Sequence, residues 1–177
     1  MAFQPQPLPT SVPTAADLAT TKARTADGAV VAPTGRRTPG DNGAAAYISR
    51  RRGRSGPTID QGAFIAGPGV DDYWEVTRKD VLRLSIYPID NTGIVDDGYL
   101  PLADQVEGET LVVDEGTYLI QTDYTLTRRV HFENGAKFKI ANGFTLTLSN
   151  GYVATDTQHV FDISDGGVVV VDNMAKV

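Results

Sequence analysis

The chain has 177 residues, 41% of them hydrophobic, with Gly 18 and Pro 10, which allows one ordinary domain or a small domain with an extended arm but little long helix. No apolar run approaches the ~18 residues that span a membrane, no basic-then-apolar secretory pattern opens the chain, and Cys 0 excludes a disulfide framework, a thiolate metal site and a cysteine nucleophile. The formal charge of −6 divides unevenly: residues 1–60 carry eight Lys/Arg against four Asp/Glu (+4), and the remainder eight against eighteen (−10), so a basic front is joined to an acidic body.

The opening "MAFQPQPLPTSVPT" is Pro-rich and buries too little surface to repay ordering, so residues 1–16 are expected to form an extended arm. In "AADLATTKART", Asp17 is placed to cap a short helix from Leu18 to about Arg24. "DGAVVAPTGRRTPGDNGAAAYISRRRG" mixes short apolar pieces with Asp-Gly and Pro-Gly signals and predicts short strands and tight turns. Two alternating segments follow, near Tyr73–Thr77 and Val81–Tyr87. In the second, Val81, Arg83 and Ser85 face one way and Leu82, Leu84 and Ile86 the other, the pattern of a half-buried strand.

From Thr110 onward nothing reads as helix. "TLVVDEGTYLI", "TLTRRVHF", "AKFKIA", "FTLTLS", "HVFDI" and "GVVVV" are short, β-branched or aromatic-rich, and bounded by Gly or Asn-Gly. In "AKFKIA", Phe138 and Ile140 share a face while Lys137 and Lys139 point to water. In "FTLTLS", Phe144, Leu146 and Leu148 are inward and Thr145 and Thr147 outward. Asn-Gly recurs every eight residues, at Asn134–Gly135, Asn142–Gly143 and Asn150–Gly151. Such pairs tolerate positive φ and close two-residue hairpins. Equally, they can turn the corners of a parallel β-solenoid, three strand-plus-corner units making a coil of roughly 24 residues. Local sequence leaves both open.

The stretch "ETLVVDEGTYLIQTDYTLTRRVHFENGAKFKIANGFTLTLSNGYVATDTQHVFDI" resembles the opening coils of the pectate-lyase-like right-handed β-helix of bacteriophage tailspikes and tail fibres. Upstream, "DLATTKARTADGAVVAPTGRRTPGDNGAAAYI" is similar to the leader before such helices. There Gly40, Asp41 and Gly43 match, while "GDNGAAA" replaces the family's glycine run. "YWEV" at 73–76 sits where a Trp often closes that leader. "YPIDNTGIVDDG" loosely echoes the next motif, and the helix that follows it in the family is poorly represented.

The resemblance implies a mainly β protein: arm 1–16, a small β-rich leader domain 17–105 with a short helix, and a short right-handed parallel β-solenoid 106–177. It further implies a homotrimeric virion appendage, on the phage tail or capsid, attached by its N-terminal part. The Asn-Gly pairs then become solenoid corners. Expected partners are further copies of the chain, other virion proteins (tail, portal-adaptor or capsid) and host surface polysaccharide, with no membrane and no dedicated nucleic-acid binding.

Chemistry is harder to find. Polysaccharide cleavage by such appendages commonly uses paired carboxylates, about 5–9.5 Å apart in glycoside hydrolases. The candidate pairs are Asp71/Asp72, Asp96/Asp97, Glu107/Glu109 and Asp114/Glu115. Adjacent acids on a strand point to opposite faces, and Asp in a turn serves its own backbone, so solvated loop acids are the default reading. His131 and His159 are isolated, which makes a poor metal site, and "DNTGIVDDG" does not match EF-hand spacing. Trp74, Tyr73, Tyr99, Tyr118, Tyr124 and Tyr152 read as packing residues rather than sugar-stacking ones. Six arginines, Arg36, Arg37, Arg50, Arg51, Arg52 and Arg54, are docking candidates for an acidic virion surface or for DNA near a portal, or, equally, a solvated loop. "GVVVVDNMAKV" is an apolar run without an amphipathic cap, expected at the front of a longer appendage or beneath another protein. The resulting expectation is a structural virion protein that is not an enzyme, with no catalytic residues, metal or cofactor. The rivals are the head part of a polysaccharide depolymerase, a carbohydrate-binding adhesin, and a capsid-attached fibre or decoration protein.

Overall fold

The computed structural model describes residues 17–18, 30–33, 45–51, 59–67, 72–77, 79–155 and 159–172, with backbone alone at 48–51 and 72. The proposed arm and most of the expected helix after Asp17 lie outside these residues. The chain divides into two compact units, Met1–Thr77 and Arg78–Val177.

The first unit is antiparallel. Strands β1 (Val30–Val31), β2 (Tyr47–Arg51), β3 (Phe64–Ala66) and β4 (Asp72–Val76) form one sheet in the order β1-β2-β4-β3. Its core includes Tyr47, Ile65 and Trp74. Trp74 is the residue the sequence places at the close of the leader. Its indole N–H donates to the Leu18 carbonyl at 3.0 Å, satisfying the polar end of a buried ring and tying together positions 56 residues apart.

The second unit is a parallel β-solenoid. In chain order its elements are β5 (Val81–Arg83), a 3₁₀ turn (Leu84–Ile86), helix α1 (Tyr99–Gln105), β6 (Thr110–Val113), β7 (Gly116–Ile120), β8 (Tyr124–Leu126), β9 (Arg129–Phe132), β10 (Ala136–Ile140), β11 (Thr145–Leu148), β12 (Tyr152–Ala154), β13 (Phe161–Asp162) and β14 (Val168–Val171). Every third strand stacks on the last. One face holds β5, β6, β9 and β12, a second β7, β10 and β13, and a third β8, β11 and β14. All these pairings are parallel, which decides against the hairpin alternative. Successive turns take 19 to 29 residues, 29 from Val81 to Thr110, 19 from Thr110 to Arg129 and 23 from Phe138 to Phe161, rather than a constant 24.

Parallel in-register stacking turns the alternation of each strand into inward ladders. Leu82, Leu111, Val130 and Tyr152 form one, and Leu126, Leu148 and Val171 another. Phe132 packs edge-on against Phe138 and Phe161 at 5.1 and 5.5 Å. Each fully buried Leu or Phe contributes on the order of 1.5–3 kcal/mol of transfer free energy.

Three expectations need correcting. The leader does not run to residue 105: β5 pairs in parallel with β6, Val81 with Thr110, so residues from Arg78 belong to the solenoid unit. Val81–Tyr87 is not one strand. After Arg83 the Ser85 N–H turns to the Asp114 carboxylate at 3.0 Å and the chain tightens into a 3₁₀ turn, though Leu82, Leu84 and Ile86 are buried as the alternation requires. The helix that the sequence represents poorly is also present, as α1. Gly98 at φ 73 starts it, and Pro101 is tolerated because first-turn N–H groups have no intrahelical partner.

Candidate functional site

The three Asn-Gly pairs take the three corners of a single coil. Asn134–Gly135 lies between β9 and β10, Asn142–Gly143 between β10 and β11, and Asn150–Gly151 between β11 and β12. Gly135, Gly143 and Gly151 have φ of 79, 81 and 65, conformations that cost most side chains strain. The Asn150 amide donates to the Thr127 carbonyl on the coil before.

The carboxylates that the fold brings together are not the sequence neighbours. Asp114 is buried while Glu115 is exposed. The partner Asp114 shares is Glu133, at the same corner one coil later. Between them lies Arg83, whose Nε donates to Asp114 Oδ1 at 2.7 Å and whose Nη2 donates to both Asp114 Oδ1 and Glu133 Oε2, the latter at 2.6 Å. Burial alone would lower the pKa of Arg83, but the Glu133 hydrogen bond and the Asp114 charge outweigh it and the net shift is upward. The arrangement staples three successive coils.

A second cluster closes the first coil, and of its members the sequence reading marked Tyr124 alone, as a packing residue. Asp104, on α1, accepts from the Tyr124 hydroxyl, from the N–H and hydroxyl of Thr127 and from the Arg128 N–H, each at 3.1 Å. Arg128 is only 4% exposed. Its guanidinium donates to the carbonyls of Lys79, Thr110, Ala103 and Val106 at 2.9, 2.7, 3.3 and 3.4 Å. Desolvation pulls its pKa down, opposed by the Asp104 charge.

Of the other acids, Asp90 and Asp97 serve their own loop, while Asp96 also reaches Gln121. Asp90 accepts from the N–H groups of Thr92, Ile94 and Val95 and from the Thr92 hydroxyl. These bonds, that of Val95 foremost, hold its pKa at about 2. Asp96 accepts the Gln121 N–H at 2.7 Å and Asp97 the Asp90 N–H at 2.5 Å. Burial pushes Asp97 above the ordinary carboxylate value. Glu107 and Glu109 are exposed. Asp71 lies outside the described residues, and Asp72 is described by backbone alone.

Of the docking arginines, Arg50 and Arg51 lie on β2, in register with Tyr73 and Asp72 of β4. Their side chains, and all of Arg36, Arg37, Arg52 and Arg54, lie outside the described residues. His131 points outward, its Nε2 3.3 Å from the Thr155 hydroxyl, and His159 is exposed. The aromatics pack: Tyr73 on Phe64, Tyr99 on Tyr87, and Tyr152 on Phe132 and Phe161. Among the described residues no helix is long and apolar enough to cross a membrane, and no group of three or more His, Asp or Glu could hold a metal ion.

No family model and no curated protein matches the chain. Among solved structures it is similar to full-length tailspike protein 2 of an Escherichia coli O157:H7 bacteriophage, with TM-score 0.61 and 15% identity over 95% of this chain and 24% of that one. The fold is tailspike-like. A second similar structure is the enzymatically active domain of bacteriophage CBA120 tailspike protein 2, with TM-score 0.57 and 16% identity over 96% of this chain and 27% of that one. The chain therefore spans about a quarter of the length of either.

These neighbours overturn one expectation. The sequence reading set catalysis aside because no acid pair converged within a strand. The tailspike-like fold is shared with a domain that is enzymatically active, so the expectation that the chain is not an enzyme is withdrawn. The physical flaw is visible in Asp114 and Glu133: in a solenoid, acids meet between coils, where neighbours in sequence do not point.

Proposed function

We propose that the chain forms the base of a bacteriophage tail appendage of tailspike type. Residues 1–77 attach it to the virion, with Arg36, Arg37, Arg50, Arg51, Arg52 and Arg54 meeting an acidic virion protein. The coils from Arg78 onward begin a homotrimeric β-solenoid rod directed at host surface polysaccharide. The observation that carries this reading is the closure of the first coil by α1, Asp104 and the buried Arg128, which makes it the start of a rod. An antiparallel sheet unit precedes that start in sequence, and a tailspike protein shares the fold.

The test is reattachment. Purified chain is mixed with virions stripped of the appendage, and the co-sedimenting fraction is measured. The expected result is binding that falls with salt, since it rests on charge pairing, and that disappears when the six arginines become glutamine. Failure of the intact chain to co-sediment at low salt would overturn the reading.

A second reading, polysaccharide cleavage on the coil surface, is favoured by the enzymatically active domain that shares the fold. Release of new reducing ends from purified host polysaccharide supports it. Intact polysaccharide after prolonged incubation argues against it.

A further inference from the structure

The three Asn-Gly corners are alike in sequence and unlike in structure. At the first two, Asn and Gly are the middle residues of a four-residue turn. The Ala136 N–H closes one on the Glu133 carbonyl at 3.0 Å, and the Phe144 N–H closes the other on the Ala141 carbonyl at 3.2 Å. At the third corner the Gly151 N–H is itself the closing donor, to the Leu148 carbonyl at 3.5 Å, and the Asn150 amide donates to Thr127. Gly151 is also buried. The first corner is held by the coil before it: the Gly135 carbonyl accepts the Gly116 N–H at 3.2 Å, and a Cβ at Gly135 would stand 3.0 Å from Glu115 Cγ. The middle corner has none of these restraints. Asn142 and Gly143 are exposed, and a Cβ at Gly143 would meet nothing within 4 Å. Neither the Asn142 side chain nor the Gly143 N–H has a hydrogen-bond partner among the described residues.

We propose that Asn142 is a modification site, at which the folded chain deamidates to aspartate and isoaspartate while its two counterparts are protected. The Gly143 nitrogen gives its proton to base and attacks Cγ of Asn142. The new C–N bond closes a succinimide ring, the Cγ–Nδ2 bond breaks, and ammonia leaves. Water then opens the ring at either carbonyl, giving a normal aspartyl link or an isoaspartyl one. The attack needs an N–H not held in a hydrogen bond, a side chain free to turn, and no Cβ on the following residue to block the approach. An intramolecular step of this kind proceeds only where the reacting atoms can come within about 3–3.5 Å. The middle corner meets every condition. The first is restrained by the preceding coil, and at the third two hydrogen bonds must break before attack, which slows it about tenfold or more.

What rests on this corner gives the modification its effect. A Cβ at Gly166, on the next coil, would stand 3.0 Å from Asn142 Oδ1, and one at Gly167 would stand 2.4 Å from the Ile140 carbonyl oxygen. Asp165, paired with Lys139 at 3.5 Å, adjoins Gly166. Deamidation therefore places a new negative charge beside an existing one, and the isoaspartyl link adds a carbon to the main chain at a close-packed turn. The strand it loosens is β14, whose Val168 N–H and the Asp172 N–H after it donate to the Phe144 and Leu148 carbonyls at 2.9 and 3.0 Å.

The test incubates the full chain in mildly alkaline buffer, folded and in urea. All three Asn-Gly pairs are followed by peptide mapping with fragmentation that separates isoaspartate from aspartate. In urea the three should convert at similar rates, since the reacting pair is the same at each. In the folded chain Asn142 is expected to convert first, Asn134 more slowly, and Asn150 about tenfold more slowly or less. The converted chain should exchange the amide hydrogens of Val168 and Asp172 faster than fresh chain does. Asn142→Gln, which keeps the amide but cyclises far more slowly, should abolish that change. Conversion led by Asn134 or Asn150, equal rates at all three in the folded chain, or a folded Asn142 that stays intact while the urea-exposed one converts, overturns the site assignment. Unchanged exchange at Val168 and Asp172 after conversion overturns the loosening of β14.

Discussion

Asp104 and Arg128 are joined at the base of the solenoid: the carboxylate accepts the Arg128 N–H at 3.1 Å, and the Arg128 guanidinium reaches four carbonyls around α1, β6 and Lys79. Among the described residues β5 is the edge strand of its sheet, and these side chains supply hydrogen bonds there. Replacing Arg128 by Met leaves buried carbonyls without donors, at about 1–3 kcal/mol for each group left unsatisfied. Urea unfolding of the full chain should show a lower midpoint for Arg128→Met, by the equivalent of about 3 kcal/mol, and a smaller drop for Asp104→Asn, which keeps acceptor oxygen. An unchanged midpoint for Arg128→Met would remove the closure argument.

The Arg83 staple makes an asymmetric prediction. Asp114 is 5% exposed at its side chain and Glu133 40%. Arg83→Leu strands a buried carboxylate, and because Arg83 itself is 38% exposed the loss should fall below the ~3–5 kcal/mol of a fully buried pair. Glu133→Gln removes a partly exposed partner, worth about 1 kcal/mol or less. A double-mutant cycle of Arg83→Leu with Asp114→Asn should recover part of the loss. Strict additivity would show that the two residues do not interact.

Much of the fold was legible because its signals are local. Alternation in "AKFKIA" and "FTLTLS" identifies the buried side of a strand whichever way the strand pairs, and Trp74 could be placed from its motif. The clusters were not legible because their geometry is non-local. Arg83, Asp114 and Glu133 meet across coils of unequal length, 29 residues from β5 to β6 and 19 from β6 to β9, so no fixed offset reveals them. Arg128, beside Arg129 in "TLTRRVHF", looks like any solvated charge until α1 is seen beneath it. The domain boundary was misplaced for a related reason: β5 finds its partner β6 only after α1, from Val81 to Thr110.

Glycines separate strain from crowding. At Gly143, φ is +81 and an added Cβ meets nothing within 4 Å, so Gly143→Ala should cost only the left-handed penalty of about 1–2 kcal/mol. At Gly108, φ is +156 and the added Cβ would collide with the Lys79 carbonyl and the Arg128 guanidinium. Gly108→Ala should therefore lower the melting temperature several times further than Gly143→Ala. Equal shifts would mean that the backbone around Lys79 yields easily.

The loop from Asp90 to Asp97 holds two acids that should respond to pH in opposite senses. Asp90 has its pKa lowered to about 2, chiefly by the Val95 N–H, so its ionised form is favoured by the fold. Its contribution is complete above the unfolded value near ~3.9 and is lost as pH falls through about 2. Asp97 is raised by burial, and its buried Oδ1 has no hydrogen-bond partner. Its charge therefore opposes folding at neutral pH, and that opposition fades as pH drops through its folded value. Asp90→Asn should destabilise the chain at pH 7, with the gap from wild type narrowing between pH ~4 and ~2. Asp97→Asn should be stabilising at pH 7, and that advantage should vanish in acid. Urea midpoints of the two variants across this range test both signs, and a destabilised Asp97→Asn at pH 7 would show that its bond to the Asp90 N–H outweighs the cost of burying its charge.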